Sequence, residues 1–187
     1  CDVTFDFTGG CNTMEVHTNA AEPWRVTLVD TGLETMTGGR VKRIQPYTNG
    51  EPFMLTYGDG VGDVDIKALL AFHQKHGKTA TLTPVHVGQQ FGVIEVDGAG
   101  NIEKFREKNE TDGNMINAGF MVLQPEIFDY LENDATVLER EPLERLAEEK
   151  RLMAYHHDGF WKCMDTQRDR KALEEMWASG SAPWRVW

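Results

Sequence analysis

The sequence predicts an α/β protein whose sheet has an antiparallel portion, and three features of the chain predict it. The first is a short apolar run, Phe53-Met54-Leu55-Thr56-Tyr57, that stops at Gly58-Asp59-Gly60 before a helix opening near Asp63. Such a run closed by glycine fits an interior strand of an α/β sheet. The second is Met115–Leu123, which reads as a nearly continuous buried strand. The third is the way β-rich stretches alternate with amphipathic segments, a pattern of layered strands and helices.

Size and composition set the frame. At 187 residues the chain suits one domain over residues 1–187, with a proper core. Its 40% hydrophobic and 26% charged residues are ordinary for a globular protein. A formal net charge of −11 argues against a nucleic-acid surface, and means that a polyphosphate ligand would need local cations or a metal. Cys1, Cys11 and Cys163 have no metal-ligand spacing. With neither a signal pattern nor a long apolar run, they suggest a reducing cytoplasm and no membrane. The start at Cys1, directly inside a strand-like pattern, suggests that the natural N-terminus lies elsewhere.

Taken in order, residues 2–7 alternate as a strand, Thr8-Gly9-Gly10-Cys11-Asn12 turns, and Met14-Glu15-Val16-His17 resumes the alternation. No Lys or helix start follows the glycine pair, so a hairpin explains it better than a phosphate loop. Residues 24–29 read as a further strand closed by Asp30-Thr31-Gly32. Thr37 is placed to cap a helix carrying Val41, Ile44 and Tyr47, with Gly38, Gly39 and Arg40 at its N-terminus. That arrangement suits a nucleotide, and it equally suits a capped surface helix with a solvated arginine.

Ile66, Leu69, Leu70 and His73 mark a helix stopped by Gly77. His73, His76 and His86 read as surface or satisfied core residues. Residues 79–87, 92–96 and 102–107 are strands, the last two joined by the turn 97–101. Arg106-Glu107-Lys108-Asn109 is a solvated strand end, unless it faces a cleft. Asn117 is the polar oddity of the 115–123 strand. A buried amide needs partners, and either a ligand or a backbone group would serve. Helices follow over 125–131 and 137–149, the second with a solvated acidic face that includes Glu139. A short strand at 152–156 precedes Thr166-Gln167-Arg168-Asp169, which resembles a capping box opening a final helix. The tail beyond Pro183 carries tryptophans that read as docking residues.

Ligands of α/β sheets collect beyond the carboxyl ends of the strands, which places Asp59 at a cleft rim. Asp165 stands at a similar position downstream, between an apolar run and a helix start. Two converging carboxylates would make a hard-cation site, and such cations commonly hold phosphates. Each also has a plainer reading. Asp between glycines is ordinary turn chemistry, and a carboxylate before a helix is favoured by the dipole.

Together these stretches resemble the sugar-nucleotide transferases. The resemblance rests on Val29-Asp30-Thr31-Gly32, Thr37-Gly38-Gly39-Arg40, Thr56-Tyr57-Gly58-Asp59-Gly60, Asn117-Ala118-Gly119-Phe120, Gly159-Phe160-Trp161, Met164-Asp165-Thr166 and Pro183-Trp184, in order along essentially the whole chain. It implies a Rossmann-like fold with a mixed, mostly parallel sheet flanked by helices. It also implies a reaction in which CTP and α-D-glucose 1-phosphate give CDP-glucose and pyrophosphate, feeding pathways to surface polysaccharides such as lipopolysaccharide O-antigen. By the same resemblance Asp59 and Asp165 hold Mg²⁺, and Thr35, Arg40 and Gly58 are nucleotide-side contacts. Lys108 receives the sugar phosphate, Glu107 meets sugar hydroxyls, and Asn117 lies in the substrate-facing strand. A homo-oligomer is implied for the full-length form.

Two departures stand out. Asn109 follows Glu107-Lys108 where the family writes proline. The family's opening strand-loop-helix, with a glycine-rich loop that grips the triphosphate, is missing, a unit of roughly 30 residues or more. The chain as given is therefore expected to be inactive alone. Two other readings fit parts of the sequence: a non-catalytic nucleotide- or sugar-phosphate-binding module, and a structural or oligomerisation domain.

Overall fold

A computed structural model describes residues 2–10, 13–17, 24–86, 93–96, 102–106 and 115–186, in two compact units, Cys1–Asp30 and Thr31–Trp187. In the first unit, β1 (Val3–Asp6) and β2 (Thr13–Val16) form the expected hairpin, with Val3 opposite Val16 and Asp6 opposite Thr13. The Asp6 carboxylate accepts the Thr8 hydroxyl at 2.6 Å and the Thr8 N–H at 2.8 Å, fixing the turn. Residues 24–30 correct the reading, for they form no strand. Trp24, Val26 and Leu28 are 78, 70 and 92% exposed. Alternating apolar residues make a strand only where a neighbouring edge takes up their backbone groups.

The second unit is built on a four-stranded sheet in the order β3-β8-β5-β9. Its strands are β3 (Phe53–Leu55), β5 (Ala80–His86), β8 (Met115–Leu123) and β9 (Leu152–Ala154). The sheet is mixed, as expected, but its hydrogen bonding is not mostly parallel. β8 runs antiparallel to both β3 and β5, and only β5 and β9 pair in parallel. The connectivity explains this. Between β5 and β8 lies the hairpin of β6 (Val93–Val96) and β7 (Ile102–Arg106), and the chain then returns along β5 with Ala80 opposite Leu123 and His86 opposite Met115. An antiparallel return needs no crossover helix.

From Ala118 onward both faces of β8 are covered, which is why that part reads as unbroken apolar sequence. Met121 and Leu123 pack with Val41, Ile127, Phe128, Leu138 and Leu146 on one side. Val122 packs with Leu69 and Val64 on the other. The first side is closed by α1 (Thr37–Arg43), a 3₁₀ turn at Pro125–Tyr130 and α3 (Glu141–Glu148), the second by α2 (Ile66–His76). α2 begins three residues beyond Asp63, because Asp65 is the residue that accepts the Ala68 N–H; it ends on Gly77 at φ 62°, the left-handed turn expected. α3 is shorter than the predicted 137–149, since Pro142 fits only a first turn and fixes the start. His73 is fully buried between Thr81 and Gln124, each at 2.8 Å, a satisfied core residue as expected.

Candidate active site

Asp59 and Asp165 come together on a two-stranded ladder made of very short strands. β4 (Gly60–Gly62) and β10 (Trp161–Cys163) pair antiparallel with Gly60 opposite Cys163, and the Met164 N–H donates to the Asp59 carbonyl at 2.8 Å. The ladder docks on β8 through the Trp161 indole, whose Nε1–H donates to the Ala118 carbonyl at 3.0 Å. Behind it, Phe160 packs against Trp184 with ring centres 5.3 Å apart and the rings tilted by 31°, so one tryptophan of the tail does dock.

Side chains two residues apart along an extended strand share a side. Cys163 therefore accompanies Asp165, and one ligand atom each from Asp59, Cys163 and Asp165 lie within 4.8 Å of one another. The thiol donates to Asp165 Oδ1 at 3.1 Å. Burial, that hydrogen bond and the fields of the two carboxylates push its pKa up to about 11. Two exposed carboxylates bordering a protonated thiol make a locally negative spot of hard oxygen donors. This donor set fits a hard divalent cation better than a soft one.

α4 (Gln167–Ala178) starts directly behind this spot with a complete capping box between Thr166 and Asp169. The Thr166 hydroxyl donates to Asp169 at 2.6 Å, and Lys162 pairs with the same carboxylate at 2.9 Å. These hold the Asp169 pKa down to about 2. Lys162 is thus turned to α4.

The predicted nucleotide side is arranged differently from expectation. Thr37 is not the N-cap of α1; that position is Met36, with no side-chain cap. Instead the Thr37 hydroxyl donates to Glu139 Oε2 at 2.6 Å and accepts the Leu138 N–H at 3.0 Å. Gly38 and Gly39 are buried packing positions. A Cβ on Gly39 would lie 2.6 Å from the Asp134 carbonyl, and one on Gly38 would lie 2.8 Å from that of Thr136. The Gly39 N–H itself is taken by Thr136 O at 3.2 Å. Thr35 is buried, its methyl against Gly39. Arg40 is exposed and donates to the Thr31 hydroxyl at 2.6 Å and the Leu33 carbonyl at 3.1 Å, so it orders the preceding loop. Arg43 forks onto Asp134 at 2.9 and 2.6 Å, clamping the same junction.

Gly58 is open, with nothing within 4 Å of an added Cβ. Asn117 finds its partners locally. Its Oδ1 accepts the Gly119 N–H at 3.0 Å, and its Nδ2 lies 3.5 Å from the Tyr57 hydroxyl. This belongs to a bulge in β8, where the pairing jumps from Leu82–Met121 to Pro84–Asn117. Gly119 is required there. Its φ is +84°, and a Cβ would meet the Tyr57 ring at 2.6 Å. Glu107 and Lys108 lie outside the described residues.

Three residues of this neighbourhood escaped the sequence reading. Cys163 and Tyr57 were each signalled by standing two residues before a candidate aspartate. Glu139, read as part of a solvated helical face, lies before α3 and accepts from both Thr37 and Tyr57. Nothing local in the sequence announces it. Burial and this carboxylate raise the Tyr57 pKa well above its usual range.

An α/β core brings two exposed aspartates together beside a short ladder, and comparison with known proteins gives the class. The chain belongs to the nucleotidyl transferase family, whose model matches residues 36–169. It is 52% identical over all 187 residues to the glucose-1-phosphate cytidylyltransferase of Salmonella typhi, 72% of which it covers. It is also 41% identical over 167 residues to a Bacillus subtilis protein named "Probable glucose-1-phosphate cytidylyltransferase", covering 89% of this chain and 65% of that one. These similarities place it among the glucose-1-phosphate cytidylyltransferases of the family. In fold it is similar to apo UDP-glucose pyrophosphorylase, with a TM-score of 0.60 at 19% identity over 81% of this chain and 63% of that one.

Proposed function

We propose that the protein is a nucleotidyltransferase that joins CTP and α-D-glucose 1-phosphate into CDP-glucose with release of pyrophosphate. The observation that carries this is the convergence of Asp59 and Asp165 within a chain 52% identical to an enzyme of that name. A phosphate oxygen of the sugar attacks the α-phosphorus of the nucleotide, a new P–O bond forms, and the bond to the β-phosphate oxygen breaks. Two polyanions must be brought together in line, so most of the catalysis is positioning and charge compensation.

Asp59 and Asp165 would hold Mg²⁺, which supplies charge neutralisation between the two phosphates. Lys108 takes the sugar phosphate and Glu107 and Asn117 the sugar side, while Thr35, Arg40 and Gly58 line the nucleotide side. Arg40 can donate to the acceptor edge of cytosine, whose amine needs an acceptor in turn. Its present bonds to Thr31 and Leu33 hold the loop that would border the base. For an organism this chemistry supplies an activated glucose for surface polysaccharides, in the cytoplasm, by an enzyme that works as a homo-oligomer.

The 187 residues contain no Gly-Gly-x-Gly-Thr-Arg run to grip a triphosphate. We therefore expect the isolated chain not to complete the reaction. The test is pyrophosphate and CDP-glucose formation from CTP, glucose 1-phosphate and Mg²⁺, by the full-length protein and by residues 1–187 alone. Product from the first and none from the second is expected. A full-length protein inert with CTP but binding it tightly would favour a non-catalytic module. Full activity in residues 1–187 would mean that the triphosphate grip lies within these residues.

A further inference from the structure

We propose that Glu139 is a positioning residue for this reaction, clamping the nucleotide-side helix to the strand end that carries Asp59. The inference rests on the cytidylyl-transfer reading above. Glu139 lies in the connection ahead of α3, yet one of its oxygens accepts from Thr37, at the first position of α1, and the other from the Tyr57 hydroxyl. Those two donors lie 102 and 82 residues away in sequence and belong to the two halves of the candidate site. One leads to Arg40, and the other stands two residues before Asp59.

The surroundings show that this carboxylate is fixed at both ends. The Thr37 hydroxyl is also held by the Leu138 N–H at 3.0 Å, and Gly39 N–H by Thr136 O at 3.2 Å, so residues 136–139 are zippered to α1. The Tyr57 ring lies against Gly119, the left-handed residue of the β8 bulge, and Asn117 approaches its hydroxyl. Tyr57 is thereby seated against the bulge through both its ring and its hydroxyl. Glu139 is exposed. Burial for its own sake does not explain a charged acceptor there, whereas two directional, charge-assisted bonds explain it well.

A bridge of this kind sets a distance. Transfer between two phosphates depends on in-line geometry, and a misplacement of about 1 Å can cost on the order of 100-fold in rate. Ground-state affinity for a nucleotide held by α1 and its loop depends far less on that spacing. The clamp should therefore act on kcat more than on KM.

The experiment measures kcat and KM for both substrates in the full-length protein carrying Glu139→Ala, Glu139→Gln, Tyr57→Phe, Thr37→Val and the Tyr57→Phe/Glu139→Ala double substitution, together with the melting temperature of each. Glu139→Ala should lower kcat by roughly 10-fold or more with KM for CTP changed by less than about threefold, and Glu139→Gln, which keeps the shape and one acceptor, should recover part of the loss. The double variant should be no slower than the slower single, because both break one bridge. Turnover in the parent with kcat unchanged in all the singles would overturn the clamp while leaving the proposed reaction standing. Additive losses, or losses that track the unfolded fraction at the assay temperature, would overturn it too and return Glu139 to a structural role. A parent without turnover on CTP would bring down the proposed reaction and the clamp with it.

Discussion

Two glycine-bordered stretches look alike in the sequence and do opposite things in the structure. Gly38-Gly39 opens α1 and Gly58-Asp59-Gly60 ends the run from β3, and both invite the reading of a backbone bared to a ligand. At the first, the glycines are bared to protein. Asp134, Thr136 and Thr35 occupy the space a side chain would need. At the second, Gly60 packs near Trp161, but Gly58 faces open space beside an exposed carboxylate that meets another two residues beyond β10. A missing Cβ records that something comes close; it does not say whether that is the chain itself or a ligand.

The largest effect should come from the open stretch. Asp59→Asn and Asp165→Asn should each lower turnover of the full-length protein by on the order of 100-fold or more, with the melting temperature little changed, since each removes a preorganised charge and no core contact. Pyrophosphate release and thermal melting read the two quantities side by side. Near-parental turnover in either variant would leave the open stretch as a turn.

Next comes the packed stretch. Gly39→Ala must move the Asp134 backbone or α1, and should destabilise the protein by about 1–3 kcal/mol, the usual penalty for overpacking. Gly58→Ala, at an open position, should change stability by no more than about 0.5 kcal/mol, while raising the KM for CTP. Denaturant midpoints for the pair give the comparison directly. Equal destabilisation would erase the distinction between the two stretches.

A pH series separates the regions further. His73 is buried neutral, and burial lowers its pKa. The unfolded chain therefore binds the extra proton first, and stability should fall as pH drops below about 6.5, where a free histidine titrates. His73→Gln, which can keep one of the bonds to Thr81 and Gln124, should flatten that slope without touching the site.

The smallest effect belongs to the cap behind Asp165. Asp169 is held to about 2, below its unfolded range, so its contribution is full above about pH 4 and is lost as pH falls toward 2. Asp169→Asn should lower the melting temperature modestly at neutral pH and remove that part of the acid dependence. An unchanged acid profile would mean that the capping box does not anchor the ladder end.

Much of this was legible in the chain. The hairpin of residues 2–17, α2 with its Gly77 stop, the whole of β8 and the Thr166–Asp169 capping box follow from periodicities and local hydrogen-bonding rules that act within a few residues. The candidate aspartates could be picked out for the same reason, since each punctuates an apolar run. Local rules failed where the partner was distant. The strand expected at residues 24–29 had the right alternation and no edge to join among the described residues. Thr37 had the right type for a cap, but its hydroxyl was claimed by Glu139, 102 residues away. The antiparallel setting of β8, the β4–β10 ladder that joins Asp59 to Asp165, and the bridge from Thr37 through Glu139 to Tyr57 were decided by tertiary structure alone. Sequence spacing fixes what a side chain can do; only packing of distant segments fixes what it meets, because hydrogen bonds and close contacts depend on separations in space that the chain's own order does not contain.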